Sequence, residues 1–138
     1  MDSILIWTDA ARQPATGITA IGYVRLEASG AIATHACITG SNATSQRAEL
    51  YAIVYALRDL PVYPACEVTC YTDCQPLAKR NRDWSSSHVW QMYDEIALIH
   101  DVSIQWIRRD LHPYNRLAHY LARQALREHL KAKRDRRK

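Results

Sequence analysis

Three acidic residues stand apart by position. Asp9 and Asp73 each follow a threonine at the end of an otherwise apolar run, "ILIWTD" and "VTCYTD". Glu49 falls early in "RAELYAIVYALRDL", whose apolar residues recur at helical spacing. Strand ends in a mixed sheet are where ligand sites gather, and adjacent strands bring such ends together. Carboxylates that converge there repel one another and raise each other's pKa unless divalent cations neutralise them. Oxygen donors of this kind suit Mg²⁺ or Mn²⁺. Two such ions about 4 Å apart activate a water and stabilise the leaving oxygen of a phosphodiester.

The charge distribution points the same way. The chain of 138 residues carries a net charge of +4, but residues 1–107 sum to −4 and residues 108–138 to +8. Its last eight residues read "KAKRDRRK". A basic end on an acidic body favours a polyanionic partner, nucleic acid first. Carboxylates for metal beside a basic segment suggest a nuclease.

The elements that must position these residues follow from the hydropathy pattern. "SILIWTD" reads as a buried strand ending at Asp9; "ITAIGYVRLEA" and "AIATHACIT" are two further strands joined at Ser29-Gly30. A capped helix follows over "RAELYAIVYALRDL", ending before Pro61, then a strand over "CEVTCYTD". "SSSHVWQMYDEIALIH" is a helix with serine caps. "VSIQWI" is a fifth strand with Val102, Ile104 and Trp106 on one face. The last helix begins near Asn115 and is expected to fray within the basic tail. The order β-β-β-α-β-α-β-α implies an α/β fold with a mixed five-stranded sheet flanked by helices. At this length, with 48% hydrophobic and 23% charged residues, one domain is expected over residues 1–130, with a basic tail over 131–138. No run is long enough to span a bilayer, and the N-terminus lacks the basic region of a secretory signal. Cys37, Cys66, Cys70 and Cys74 form no CxxC pair and read as reduced thiols of a cytoplasmic protein.

Four segments, "ILIWTDAA", "TSQRAELYAIVYAL", "VTCYTDCQPL" and "WIRRDLHPYNRLAHYLARQAL", resemble in order and spacing the motif blocks of type 1 ribonuclease H, over residues 3–127. The resemblance implies a ribonuclease H-like fold and an endonuclease cutting the RNA strand of RNA/DNA hybrids with two Mg²⁺ or Mn²⁺ ions, leaving 3′-hydroxyl and 5′-phosphate ends. It makes Asp9, Glu49 and Asp73 the first three metal-binding carboxylates. The fourth falls on His119. The family's last helix reads Asn-x-x-x-Asp-x-x-Ala, and Asn115 to Ala122 keeps everything except the acid. By spacing alone, His119 is an inert histidine at the edge of a helix face built from Ala118, Leu121, Ala122 and Ala125. With the resemblance it stands in a ligand position. A neutral imidazole there removes one negative charge and favours Mn²⁺ over Mg²⁺.

The resemblance also implies substrate contacts. Thr44 takes the place of a threonine that holds a DNA phosphate. Ser45 and Gln46 replace asparagines that reach the hybrid's minor groove, Gln75 matches a groove glutamine, and Asn115 is kept. His112 or Asp110 fills the place of a loop histidine that assists product release or proton movement. Ala10 departs from the family's usual glycine, and the inserted basic handle of some relatives is absent. The expected molecule is a monomer with no membrane association. Two alternatives stand beside the nuclease: a catalytically weak or silent member of the fold that binds nucleic acid, favoured by His119, and a transposase or resolvase core, disfavoured by the short chain.

Overall fold

The computed structural model describes residues 1–41, 44–79 and 87–137. Five strands, β1 (Asp2–Arg12), β2 (Thr19–Leu26), β3 (Ile32–Gly40), β4 (Cys66–Thr72) and β5 (Asp101–Trp106), form one mixed sheet in the order β3-β2-β1-β4-β5. β1, β2 and β3 pair antiparallel, while β4 and β5 add parallel on the other side of β1. The helices are α1 (Ser45–Arg58), α2 (Gln75–Lys79), α3 (His88–Ala97) and α4 (Pro113–Arg136). The expected five-stranded architecture is therefore present. The short helix α2, just after Asp73, is an addition that five residues could not announce by periodicity.

The sheet's two faces are covered differently. On one face, Leu50, Ile53, Val54 and Leu57 of α1 pack with Ile6, Ile21, Val68 and Cys70, all buried. α3 lies over α1 and contributes Val89 and Trp90 to the same core. Each such side chain contributes about 1.5–3 kcal/mol by leaving water. On the opposite face α4 crosses β1, β2 and β3. Gly22 makes that crossing close: a Cβ there would sit 2.6 Å from the Ala118 carbonyl oxygen and 2.8 Å from the Ala122 nitrogen. Ala118 and Ala122 are both fully buried.

Several boundaries differ from the sequence reading. β1 does not end at Asp9 but runs on to Arg12, because β2 continues to pair with it as far as Thr19. α4 starts at Pro113, a residue well suited to the first helical turn, and holds its helix to Arg136 instead of fraying in the basic tail. Trp106 is 49% exposed at the end of β5, whereas Val102 and Ile104 pack against the core as expected. Ser87 precedes α3 but makes no side-chain cap, and Ser85 and Ser86 lie outside the described residues. Among the described residues no helix is long and apolar enough to cross a membrane.

Candidate active site

The parallel pairing of β1 with β4 stops at Trp7 and Tyr71. The next two residues are Thr-Asp in both segments, Thr8-Asp9 and Thr72-Asp73. β1 proceeds beside β2, but β4 turns away. Thr72, buried, accepts the Cys74 amide through Oγ1 at 3.1 Å, and its carbonyl accepts the Ile107 amide at 2.9 Å. The sheet opens at this point on the β4 side of β1, and Asp9 and Asp73 face the opening. Glu49, from the first turns of α1, reaches the same place from the other face of the sheet.

The structure thereby brings Asp9, Glu49 and Asp73 together, with ligand oxygens all within 4.8 Å of one another. Asp9 is 1% exposed. Burial, then the neighbouring Asp73 charge, pushes its pKa up, against hydrogen bonds to Glu49 and His119 that hold it down. Glu49 is pushed well up by burial and by the charges of Asp9 and Asp73. Asp9 Oδ1 and Glu49 Oε2 are buried without a partner among the described residues. Hard oxygen donors, concentrated negative charge and two orphaned buried oxygens fit a divalent cation.

His119 joins this group through one member. Its Nδ1 lies 2.5 Å from Asp9 Oδ2, while the oxygens of Glu49 and Asp73 belong to the trio and not to that contact. The close crossing of α4 at Gly22, which pairs with Asp9 across β1 and β2, puts His119 there. Asn115, one turn earlier, is buried, and its Nδ2 has no partner among the described residues.

The remaining expected residues fall into two groups. Thr44, Ser45 and Gln46 gather at the start of α1 around an open depression, where Thr44 caps the helix by accepting the Arg47 amide at 3.3 Å. Gln75 begins α2, exposed, two residues past Asp73. The loop residues His112 and Asp110 make contacts within and beside the loop. His112 caps α4, accepting the Tyr114 amide through Nδ1 at 3.1 Å, and stacks on Trp7 at 4.8 Å. Asp110 adopts a left-handed backbone, φ 63°, and its carbonyl accepts from Arg116 at 3.0 Å.

Sequence reasoning missed Arg109. Its Nε donates to Asp73 Oδ2 at 3.1 Å, so a cation from the loop after β5 reaches the acidic group. Only its place just past the end of the strand beside β4 could have pointed to it. Cys74, expected only as a reduced thiol, also proves to border the site. It lies half-buried beside the trio, and burial, then the Glu49 charge, pushes its thiol up to about 11, so it stays a neutral packing group.

A family model described as RNase H matches residues 1–127. The chain belongs to the RNase H family. It is 32% identical to ribonuclease H of Marinobacter nauticus, over 62% of this chain and 69% of that protein. To ribonuclease H of Pelobacter propionicus it is 36% identical, over 66% of this chain and 67% of that protein. In fold it matches RNase H1 of the archaeon Halobacterium salinarum, with a TM-score of 0.78 over 91% of this chain and 98% of that one, at 24% identity. It also matches LC11-RNase H1, solved in complex with an RNA/DNA hybrid, with a TM-score of 0.76 over 92% and 99% at 20% identity.

Proposed function

We propose that this RNase H-family protein is an endonuclease that hydrolyses the RNA strand of RNA/DNA hybrids, leaving 3′-hydroxyl and 5′-phosphate ends. The observation that carries the reading is the convergence of Asp9, Glu49 and Asp73, two of them with buried oxygens that no described residue satisfies. Asp9, Glu49 and Asp73 would hold two divalent cations, which when bound supply an activated water and charge stabilisation for the leaving oxygen. Loading them would require Glu49 to be ionised, against the burial and the neighbouring charges that push its pKa up. Asp9, between Glu49 and His119, is the residue whose loss removes the most. Arg109 pairs with Asp73, and its guanidinium would be free to face the substrate when cations hold that carboxylate.

His119 takes the place of the family's fourth carboxylate. Its Nδ1 is directed at the acidic group, and a neutral imidazole there weakens retention of Mg²⁺ relative to Mn²⁺. Thr44, Ser45, Gln46 and Gln75 are well placed to meet the hybrid, because short polar side chains can read a 2′-hydroxyl. Thr44, which accepts in its cap, keeps its hydroxyl proton to donate to a phosphate. Asn115 would orient the substrate or His119 through its side-chain amide. Of the two loop candidates, His112 orders the loop through its cap and stack, and Asp110 is left as the auxiliary proton carrier. Four free cysteines favour a reducing, cytoplasmic setting, and a monomer suffices for the site.

A second reading is supported by the short His119–Asp9 contact: a hydrogen bond replaces a ligand, and the protein binds hybrid without cutting it. One assay separates the two. A short labelled hybrid, with RNA duplex and DNA duplex as controls, is incubated with Mg²⁺ or Mn²⁺. Cleavage of the RNA strand of the hybrid alone supports the nuclease. Binding without cleavage under either metal rejects it in favour of the silent module.

A further inference from the structure

A cleft of about 340 Å³ opens at His119 and runs along α4, away from Glu49. Four arginines line it: Arg12 from the end of β1, Arg109 from the loop after β5, and Arg123 and Arg127 from α4. Its inner wall includes Ala11, and among the described residues no acidic one lines it. Arg123 and Arg127 follow His119 by four and eight positions, so the three share one helix face. The extension of β1 past Asp9 supplies the opposite wall, and Arg109 spans the mouth, with its guanidinium on Asp73.

Arg123 and Arg127 bring two exposed guanidinium groups to this concavity beside Arg12 and Arg109, and such an arrangement favours an anion with several charged oxygens. Guanidinium matches phosphate in geometry and can hold it through two parallel hydrogen bonds. The face from His119 to Arg127 is about 12 Å long, which spans about three phosphates at roughly 3.4 Å of helix axis each. Because the cleft begins at the residue touching Asp9, a strand whose phosphate lies at the carboxylates continues directly into it. We propose that this cleft is a phosphodiester-binding subsite that seats the backbone of the cleaved strand beside the scissile bond, with Arg123 and Arg127 as its principal contacts. The assignment rests on the proposed nuclease reading. It divides the molecule's grip: the start of α1 faces one part of the hybrid, and the α4 cleft holds the strand being cut.

The test is the double variant R123Q/R127Q. Both side chains are exposed, so the fold is expected to be retained, and an unchanged melting temperature checks this. Hybrid binding by fluorescence anisotropy and steady-state cleavage are measured between about 50 and 200 mM salt. The slope of log K against log salt should become shallower by about 0.9 for each phosphate no longer neutralised, close to two for the double variant. The loss should appear in KM, about tenfold at intermediate salt, far more than in kcat. R58Q, at the far end of α1, removes a charge elsewhere and should leave the slope alone. Neutral methylphosphonates in the RNA strand next to the cut should weaken wild-type binding and weaken the double variant no further. The same groups in the DNA strand should weaken both equally.

An unchanged salt slope, or coupling to the DNA strand instead, overturns the subsite while leaving the nuclease reading intact. If the wild-type protein binds hybrid without cleaving it, the slope and the methylphosphonate coupling still decide the subsite and only the catalytic reading falls. If it neither binds nor cleaves, both fall together.

Discussion

At the scale of single residues, the acidic group is a site that the fold holds at a cost. Asp9 is buried and Glu49 half-buried beside Asp73, and both carboxyls are raised above their ordinary values. The native state therefore keeps protons that the unfolded chain releases from about pH 4 upward. The sign follows: without metal, stability falls as pH rises from the unfolded carboxylate range through the raised native values. E49Q keeps the shape and removes the charge. In EDTA at neutral pH it should melt about 3–5 °C higher than wild type, the shift that about 1 kcal/mol makes in a domain of this size, and it should flatten the decline with pH. Adding Mn²⁺ should reverse the order, since a ligand stabilises only a state that binds it. A lower melting temperature for E49Q in EDTA would show that the ionised carboxylate is already satisfied. D9N should fold and bind hybrid but cleave only at background, and wild-type cleavage by D9N would remove Asp9 from the site. His119 is tested by replacement in both directions. H119A should lose about tenfold or more in Mg²⁺-dependent cleavage, within the range that neighbours of a metal site contribute. H119D, which restores an oxygen donor, should move the preference toward Mg²⁺. Full activity of H119A under both metals would leave the histidine a bystander.

At the scale of elements, the site exists because β4 leaves the sheet at Thr72 while β1 goes on, and because α4 crosses the other face closely enough to deliver His119. The two Thr-Asp pairs were legible in the sequence, since each ends an apolar run. The extension of β1 to Arg12 was not, because residues 10–12 are small or polar and only the partner strand keeps them extended. Gly22 was equally silent: one glycine within a strand marks a close approach without naming what approaches. The consequence is a prediction for G22A. A methyl group there meets α4 backbone at 2.6 and 2.8 Å, so the helix must shift as a whole. Destabilisation of about 1–3 kcal/mol is expected, as for other overpacked sites. Cleavage should fall further than this stability loss accounts for, because His119 moves with the helix. Measuring melting and cleavage below the transition separates the two, and a variant that melts early but cleaves normally would uncouple the crossing from the site. Arg109 was missed for a related reason: a loop arginine acquires meaning only when β5 is known to lie beside β4.

Over the whole molecule, charge is segregated by chain position and, through α4, by place. Residues 108–138 hold a net +8, and by composition their last part reads as a tail. The helix instead runs unbroken to Arg136, so Lys131, Lys133, Arg134 and Arg136 sit on one continuous rod that is rooted on the sheet at Ala118 and Ala122. Fixed charges of this kind act in two ways. They attract the polyanion from a distance, and they displace condensed counterions on contact. Neither bears on the bond-breaking step, because even Lys131 lies about 18 Å beyond His119 along the helix. Residues 131–137 are exposed, so removing residues 131–138 deletes little packing. The truncated protein should melt within about 2 °C of the intact one, as expected when surface positions contribute about 0.5 kcal/mol or less. Its hybrid affinity should drop and its salt slope should become shallower by about 0.9 for each phosphate that the missing residues neutralised. The rate at saturating hybrid should stay near that of the intact chain. Combined with R123Q/R127Q, the truncation separates two basic regions on one helix. Independent regions give additive changes in log affinity, whereas a single continuous track gives less than additive ones. A truncated protein with the intact chain's slope would mean that the rod extends away from the nucleic acid, and that the grip of α4 ends at the cleft.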